Sequence, residues 1–585
     1  MKNNNGIITV GKIEGPKAPK DPAERRNGFF VLYETAIEAT ARAEGPPSQE
    51  VYLEGNYLID KARYIGGVTD ETILELLGSC VGFRKLVHSI GVSVRRDPEQ
   101  NEPISFLLQN WGKTSKYETG SSIRVPCPPD GSEVLLKLED LEWSEEDAVL
   151  GKFAFEFKHE GELAIASIIF YLHDGYSVPE LVIEPPVAFD SNEYREIITQ
   201  SLLHPGNNKR LKTAIHKAIK GEDVTIAYIG GSITQGAGAK PIHTECYAYQ
   251  SYLRFKELFG TNGGENIHFV KAGVGGTPSE LGVIRYERDI LREGSVTPDI
   301  VVVEFAVNDE GYETKGNCFE SLCLKILSAD NRPAVVLLFS VFMNDWNLQE
   351  RLSPIGRAYN LPMVSVKDAV SGQFRLSKNE GNILSKRQFF YDIYHPTNEG
   401  HRVMADCLAY LFSETHKTLM DEDDLLLDQH PVIGNDFAGT LLLDRKSHID
   451  AGRIEVGRIE VGGFSGIDTD LQRVEMDANP FGTPEFPHNW MHSASSGEHS
   501  FKLTITSKNL ILVYKDSGSS EFGKANIYVD GCLVVTADPH ENNWTHCNPV
   551  ILYQNEVSGE HQVEIRMVPE DQYKSFTILG FGYNA

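Results

Sequence analysis

The middle of the chain limits the fold most tightly. Near-continuous apolar runs cover 224–229, 267–271, 299–305, 334–341 and 363–366. Amphipathic runs lie between them, over 246–259, 279–291, 318–327 and 347–359. A strand that is apolar at every position must be covered on both faces, and helices between such strands provide the cover. The expectation is an α/β fold with a doubly wound parallel sheet of five strands. A basic amphipathic helix over 207–220 precedes the sheet. A last helix after Pro396 buries Val403, Met404, Cys407, Leu408, Leu411 and Phe412 at helical spacing.

The flanks have a different texture. Between residues 6 and 186, short alternating runs such as 134–138, 151–158 and 164–172 are separated by turn residues, with one helical stretch over 70–77. After the acidic stretch 421–428 the β pattern returns, in runs such as 501–506, 510–514, 525–529, 533–537 and 562–567. Both flanks read as β-sandwiches, the second with a jelly-roll look. The expected domains are 1–190 (β-sandwich), 191–420 (α/β), 421–429 (acidic linker) and 430–585 (β-sandwich). The echo of Gly452-Arg-Ile-Glu-Val in Gly457-Arg-Ile-Glu-Val is too short for a repeat architecture.

Charge narrows the partners. With 55 Lys+Arg against 83 Asp+Glu, the net charge is −28. Such a chain repels nucleic acid and anionic membranes, and a neutral substrate fits better. The eight cysteines include no C-x-x-C pair, so zinc is not expected, and buried free thiols are. No metal or cofactor is called for. The first fifteen residues lack the apolar core of a signal peptide. The longest apolar stretch is about half of what spans a bilayer. The reading is a cytoplasmic protein, with self-association left open.

Two segments carry chemistry. Ser232 lies in Gly230-Gly231-Ser232-Ile233-Thr234, directly after the first strand of the parallel sheet, where open α/β sheets form their sites. By itself this is equally a glycine-rich turn with a capping serine. It has neither the phosphate-loop nor the dinucleotide pattern. His395 lies in Asp392-Ile393-Tyr394-His395-Pro396, three residues after a carboxylate. On one helical turn the two can meet, and the carboxylate then fixes the imidazole tautomer. Alone, this is a surface Asp–His pair. Together, the serine and the Asp–His pair stand at opposite ends of the α/β region, whose strand edges can bring such ends together. No G-x-S-x-G occurs, which argues against the α/β-hydrolase alternative.

Four segments in order resemble the SGNH (GDSL-like) hydrolases. They are Gly230–Thr234, Ala272-Gly273-Val274-Gly275-Gly276-Thr277, Val303-Glu304-Phe305-Ala306-Val307-Asn308-Asp309, and Asp392–Pro396. The resemblance implies a flavodoxin-like sheet and a serine esterase with no cofactor. It assigns Ser232 as nucleophile, His395 as base and Asp392 as its orienting acid. The oxyanion donors would be Ser232, Gly276 and Asn308. Two departures are Gly231, where the family usually has Asp, and Ala306, where a glycine is usual.

A β-sandwich on either side of such a domain resembles carbohydrate acetyl esterases acting on xylan or mannan. The expected substrate is an acetylated oligosaccharide, cleaved through an acetyl-enzyme. Trp346, Tyr394, Trp490 and Trp544 are candidates to contact sugar. The alternatives are a lipid or lysophospholipid esterase and a catalytically silent carbohydrate-binding protein.

Overall fold

A computed structural model of the chain describes residues 26–42, 45–309, 314–450 and 457–585. The N-terminal fifteen residues and Gly452–Val456 of the echo lie outside them. The chain forms two compact units.

The first unit contains the described residues up to Asp190, together with Gly238–Pro241 and Gln373–Gly400. Its strands are β1 (Gly28–Glu38), β2 (Ser48–Tyr52), β3 (Val87–Arg95), β4 (Ile104–Gly112), β5 (Ser122–Cys127), β6 (Val134–Lys137), β7 (Asp147–Glu156) and β8 (Leu163–Leu172). They form two antiparallel sheets, ordered β1-β8-β3-β6 and β2-β7-β4-β5. Both sheets feed one core, with Phe29, Phe83, Phe106, Phe153 and Phe170 at its centre. Period-two patterning is the cause: in β8, Ala164, Ala166, Ile168, Phe170 and Leu172 are buried at alternate positions. The expected helix is Glu71–Leu76, capped by the Asp70 carboxylate on the Thr72 N–H at 2.9 Å. The late segment is tied into this unit. Arg387 pairs with Glu184 and lies 5.4 and 4.5 Å from the Phe30 and Tyr33 rings. Gln388 Nε2 donates to Pro185 O at 2.9 Å.

The second unit contains Ser191–Ala237, Ile242–Gly372 and His401–Ala585. The five expected strands are present: β10 (Val224–Gly230), β11 (Ile267–Gly273), β12 (Ile300–Glu304), β13 (Ala334–Phe339) and β14 (Met363–Ser365). They run parallel, but the sheet has six strands, not five. β9 (Leu202–His204) adds to the β14 edge in the antiparallel sense. Three residues are too few to show a period, so this strand left no signal in the sequence. The order β11-β10-β12-β13-β14 reverses at β10 and β12, and the crevice beyond their carboxyl ends is where such sheets bind ligands. Helices Lys209–Ile219, Tyr247–Phe259, Ser279–Asp289, Asn317–Leu327, Gln349–Ala358 and Asn398–Lys417 match the expected ones to within a few residues.

The C-terminal strands are β15 (Leu441–Leu443), β16 (Gly457–Glu460), β17 (Arg473–Val474), β18 (Thr483–Pro484), β19 (Trp490–His492), β20 (Phe501–Asp516), β21 (Ala525–Val529), β22 (Cys532–Ala537), β23 (His546–Met567) and β24 (Phe576–Asn584). Apart from the β17–β18 ribbon they form an eight-stranded sheet with the path β15-β24-β20-β23-β21-β22. This sheet is buried on both faces where β20 turns continuously apolar. Leu510 and Leu512 face a core of their own, while Ile511 and Val513 join the core of the parallel sheet beside Val303, Phe305 and Leu322. Trp490 is only 1% exposed, packed on Phe501 and Phe581, so it is a core residue and not a sugar contact. Seven cysteines are buried as expected. Cys532 is exposed, because β22 turns most of its residues to solvent. Among the described residues, no helix is long and apolar enough to cross a membrane.

The acidic stretch is anchored. Asp421 accepts the Asn208 N–H at 2.7 Å, and Asp424 pairs with Arg210 at 2.8 Å. Just beyond it, the buried Glu320 carboxylate accepts the N–H groups of Val432, Ile433 and Gly434 at 2.7, 2.6 and 3.0 Å, and the Tyr359 hydroxyl at 2.8 Å. Glu320→Ala leaves these four donors unpaired. It is expected to lower stability by about 3 kcal/mol or more, read as a fall in the urea midpoint of the intact chain; an unchanged midpoint refutes the anchoring role.

Candidate active site

The turn after β10 is shaped by two close approaches. A Cβ at Gly230 would fall 2.4 Å from Glu304 O, and one at Gly231 would fall 2.2 Å from Asn308 Oδ1. No larger residue fits without moving a strand end or the Asn308 amide. Ser232 then opens a single helical turn, Ser232–Gln235, closed by Gly236 at φ +111°. Asn308 Oδ1 is buried without a hydrogen bond among the described residues. Beneath the turn, Thr234 Oγ1 donates to Glu304 Oε2 at 3.1 Å. Burial pushes the Glu304 carboxyl up to about 7, against the pull of the Ser340 and Thr234 hydroxyls.

The loop after β11 carries the candidate glycines. The Gly275 N–H is spent on Gln235 Oε1 at 2.9 Å. Gly276 is exposed with φ +73°, and its N–H is the next one the loop presents. Residues from the C-terminal part of the chain hold this loop and the Ser232 turn. Gln472 Nε2 donates to Gly275 O at 2.8 Å, and Gln235 Nε2 donates to Glu475 at 2.7 Å. The two ring nitrogens of His546 face Gly276 O at 2.9 Å and Asp516 Oδ2 at 3.0 Å. Trp544, 44% exposed, lies 4.7 Å from the His546 ring, with Cζ2 2.9 Å from where a Gly276 Cβ would stand.

The Asp392–His395 segment is a turn, not the helical turn expected. Asp392 Oδ1 accepts the N–H groups of Tyr394 and His395 at 2.7 and 2.8 Å, and Oδ2 meets His395 Nδ1 at 2.9 Å. Tyr391 N donates to His395 O at 2.8 Å and closes the loop. Aspartate favours this local bonding over helix, which is why the pair meets at a spacing of three all the same. Burial pushes the Asp392 carboxyl up, but the His395 ring, the charge of Lys61 and the Tyr394 N–H together bring it down to about 2. Tyr394 is exposed, its ring 6.0 Å from that of His395. His401 is buried and structural, its ring nitrogens on Tyr247 N at 3.2 Å and Ala237 O at 3.0 Å.

The structure thus assembles the candidates in two groups. Ser232, Gly276 and Asn308 belong to the second unit with Trp544. Asp392, His395 and Tyr394 belong to the first. Trp346 packs on Phe342 at 5.6 Å and against the parallel-sheet core. Sequence reasoning missed Lys61, Arg285, Gln472 and His546, which carry no local motif. Among the described residues, no group of three or more His, Cys, Asp or Glu could hold a metal ion.

Residues 228–403 match the GDSL-like Lipase/Acylhydrolase family, a span that contains all five candidates Ser232, Gly276, Asn308, Asp392 and His395. No curated protein sequence matches the chain. Among solved structures, the chain is similar to a two-domain esterase active on acetylated mannans, at 26% identity and a TM-score of 0.55, over 66% of this chain and 99% of that one. The same kind of esterase co-crystallised with mannopentaose matches at 27% identity and a TM-score of 0.54, again over 66% and 99%. The chain therefore contains a segment that matches the GDSL-like lipase/acylhydrolase family, within a fold similar to that of these esterases.

Proposed function

We propose that this protein is a carbohydrate O-acetyl esterase that removes acetyl groups from mannan-type oligosaccharides. The observation that carries the reading is the Asp392–His395 hydrogen bond of 2.9 Å. Ser232 Oγ attacks the acetyl carbonyl while His395 takes its proton, and Asp392 holds the imidazole and stabilises its charged form. The N–H groups of Ser232 and Gly276 and the amide of Asn308 stabilise the oxyanion. Water then releases acetate through the same histidine.

The mannan esterases it is similar to support the substrate class. So does the net charge of −28, which favours a neutral ligand over an anionic lipid surface. The C-terminal sheet acts as a sugar-binding sandwich, with Trp544 as an exposed platform beside Gly276. Its place in the cell is read as cytoplasmic.

Ser232→Ala abolishes hydrolysis of p-nitrophenyl acetate in a protein that still folds; near wild-type turnover sinks the assignment. A p-nitrophenyl acyl series on the wild type separates the classes. Acetate preference supports the proposal, long-chain preference indicates a lipid esterase, and no turnover indicates a binding protein. Gly231→Ala pushes the Asn308 amide out of place and lowers kcat by about 10²-fold, the scale of losing one oxyanion donor, with little change in KM. Trp544→Ala raises KM about tenfold for acetylated mannooligosaccharide, about 1.4 kcal/mol, and leaves KM for p-nitrophenyl acetate near wild type. Equal change on both substrates removes Trp544 from the sugar site.

A further inference from the structure

The first unit places a buried lysine against the segment that carries the candidate base. Lys61, 4% exposed, opens the π-helix Lys61–Ile65, which packs on β1 and on the helix Lys386–Phe389. A π-helical turn holds one more residue than an α-turn and re-aims the side chains around it, which is why such turns recur at functional sites. Here the Lys61 ammonium donates to Tyr391 O at 3.4 Å and stands 5.3 Å from the centre of the Tyr391 ring. Tyr391 is the first residue of the turn that the Tyr391 N–H to His395 O bond closes, and Asp392 is the second.

We infer that Lys61 is a positioning residue for the Asp392–His395 pair, fixing the head of the turn and supplying a buried positive charge beside the carboxylate. This rests on reading His395 as the catalytic base. The neighbouring charges do not cancel this one. Arg63 is paired with Glu71 at 2.7 Å, and Arg387 with Glu184. On β1, Glu34 is paired with Arg95 at 2.8 Å. Lys386 stands over the Phe374 ring at 5.7 Å. Asp60, Glu54, Tyr57, Tyr64, Tyr391 and Tyr394 are the other titratable groups on or beside the π-helix and the turn. Burial pulls the Lys61 amine down and Asp392 draws it back up, while Lys61 helps to hold Asp392 down. Each is thus part of the other's counter-charge, in a region where an unpaired buried charge is costly.

The sign of the effect follows. A fixed positive charge near His395 disfavours its protonated form. Removing that charge makes the base harder to deprotonate, so activity requires higher pH. The experiment is kcat/KM against pH on p-nitrophenyl acetate for wild type, Lys61→Met, Lys61→Gln and Lys61→Arg, with Ser232→Ala and His395→Ala as controls. Lys61→Met matches the volume without charge, and Lys61→Gln keeps a donor for Tyr391 O. Both are expected to move the acid limb upward by about half a pH unit or more, and Lys61→Arg to restore it. A folded Met or Gln variant with the wild-type limb overturns the inference. Either one suffices if the other does not fold. A control that retains wild-type turnover overturns the catalytic reading instead, so the two failures are distinguishable.

Discussion

The guanidinium of Arg285 holds the strand ends on which the nucleophile turn depends. It is fully buried, and it donates to Gly230 O at 2.9 Å and Ala272 O at 2.7 Å, the last residue of β10 and the last but one of β11. Gly230 O also accepts the Val274 N–H at 3.1 Å, so the guanidinium reinforces a strand end that the next loop already caps. Burying a guanidinium is expensive, and here the compensation is a network. Arg285 pairs with Asp289 at 3.2 Å, and Asp289 also meets Arg288, which reaches Glu485. Burial pushes Asp289 up, but the two arginines hold it below the usual carboxylate range. A network of this kind adds little net stability. Its value lies in fixing one register, since any displaced strand end strands a charge.

Glu485 belongs to the C-terminal part of the chain, so the network also explains why that part is not a detachable module. The same is true of the core. Phe437, Ile511, Val513 and Leu579 share a cluster with Val303, Phe305 and Leu322 of the α/β layers. The contacts of Gln472 and His546 on the Gly275–Gly276 loop, and of Glu475 on Gln235, grow out of that shared packing. A flexible glycine loop at φ +73° has much backbone entropy to lose. Rigid neighbours that bind its carbonyls meet that loss at folding, which is what the proposed oxyanion role of Gly276 would require.

What the sequence revealed and what it hid follow from the range of the interactions. The five parallel strands and their helices were legible because burial on two faces leaves a continuous local signature. The Asp392–His395 pairing was legible too, although its turn was read as helix: side-chain to backbone bonding by an aspartate has no periodicity to distinguish it. β9 was too short to register. Trp490 was misread because exposure is a property of the fold, not of the residue type. Lys61, Arg285 and His546 were invisible for a related reason. Each acts through a backbone carbonyl far away in sequence, at Tyr391, Gly230 and Gly276, and a carbonyl is the same whatever residue carries it.

That last point bears on how the candidate groups are held. In each unit the chemistry-bearing residue sits on a short irregular segment, and the support is bonding to its backbone. Ser232 follows a turn whose flanking carbonyl is held by Arg285. Gly276 is held through its own carbonyl by His546. The base turn is held at Tyr391 O by Lys61 and internally by Asp392. Support that binds the main chain does not compete for the side-chain groups of these segments. The cost is a set of buried cations and imidazoles that must each find a counter-charge: Asp289 for Arg285, Asp516 for His546 and Asp392 for Lys61. Asp392 is the one carboxylate asked to do two tasks at once, as partner of a buried ammonium and as orienter of His395, so a change in either partner is felt by the other.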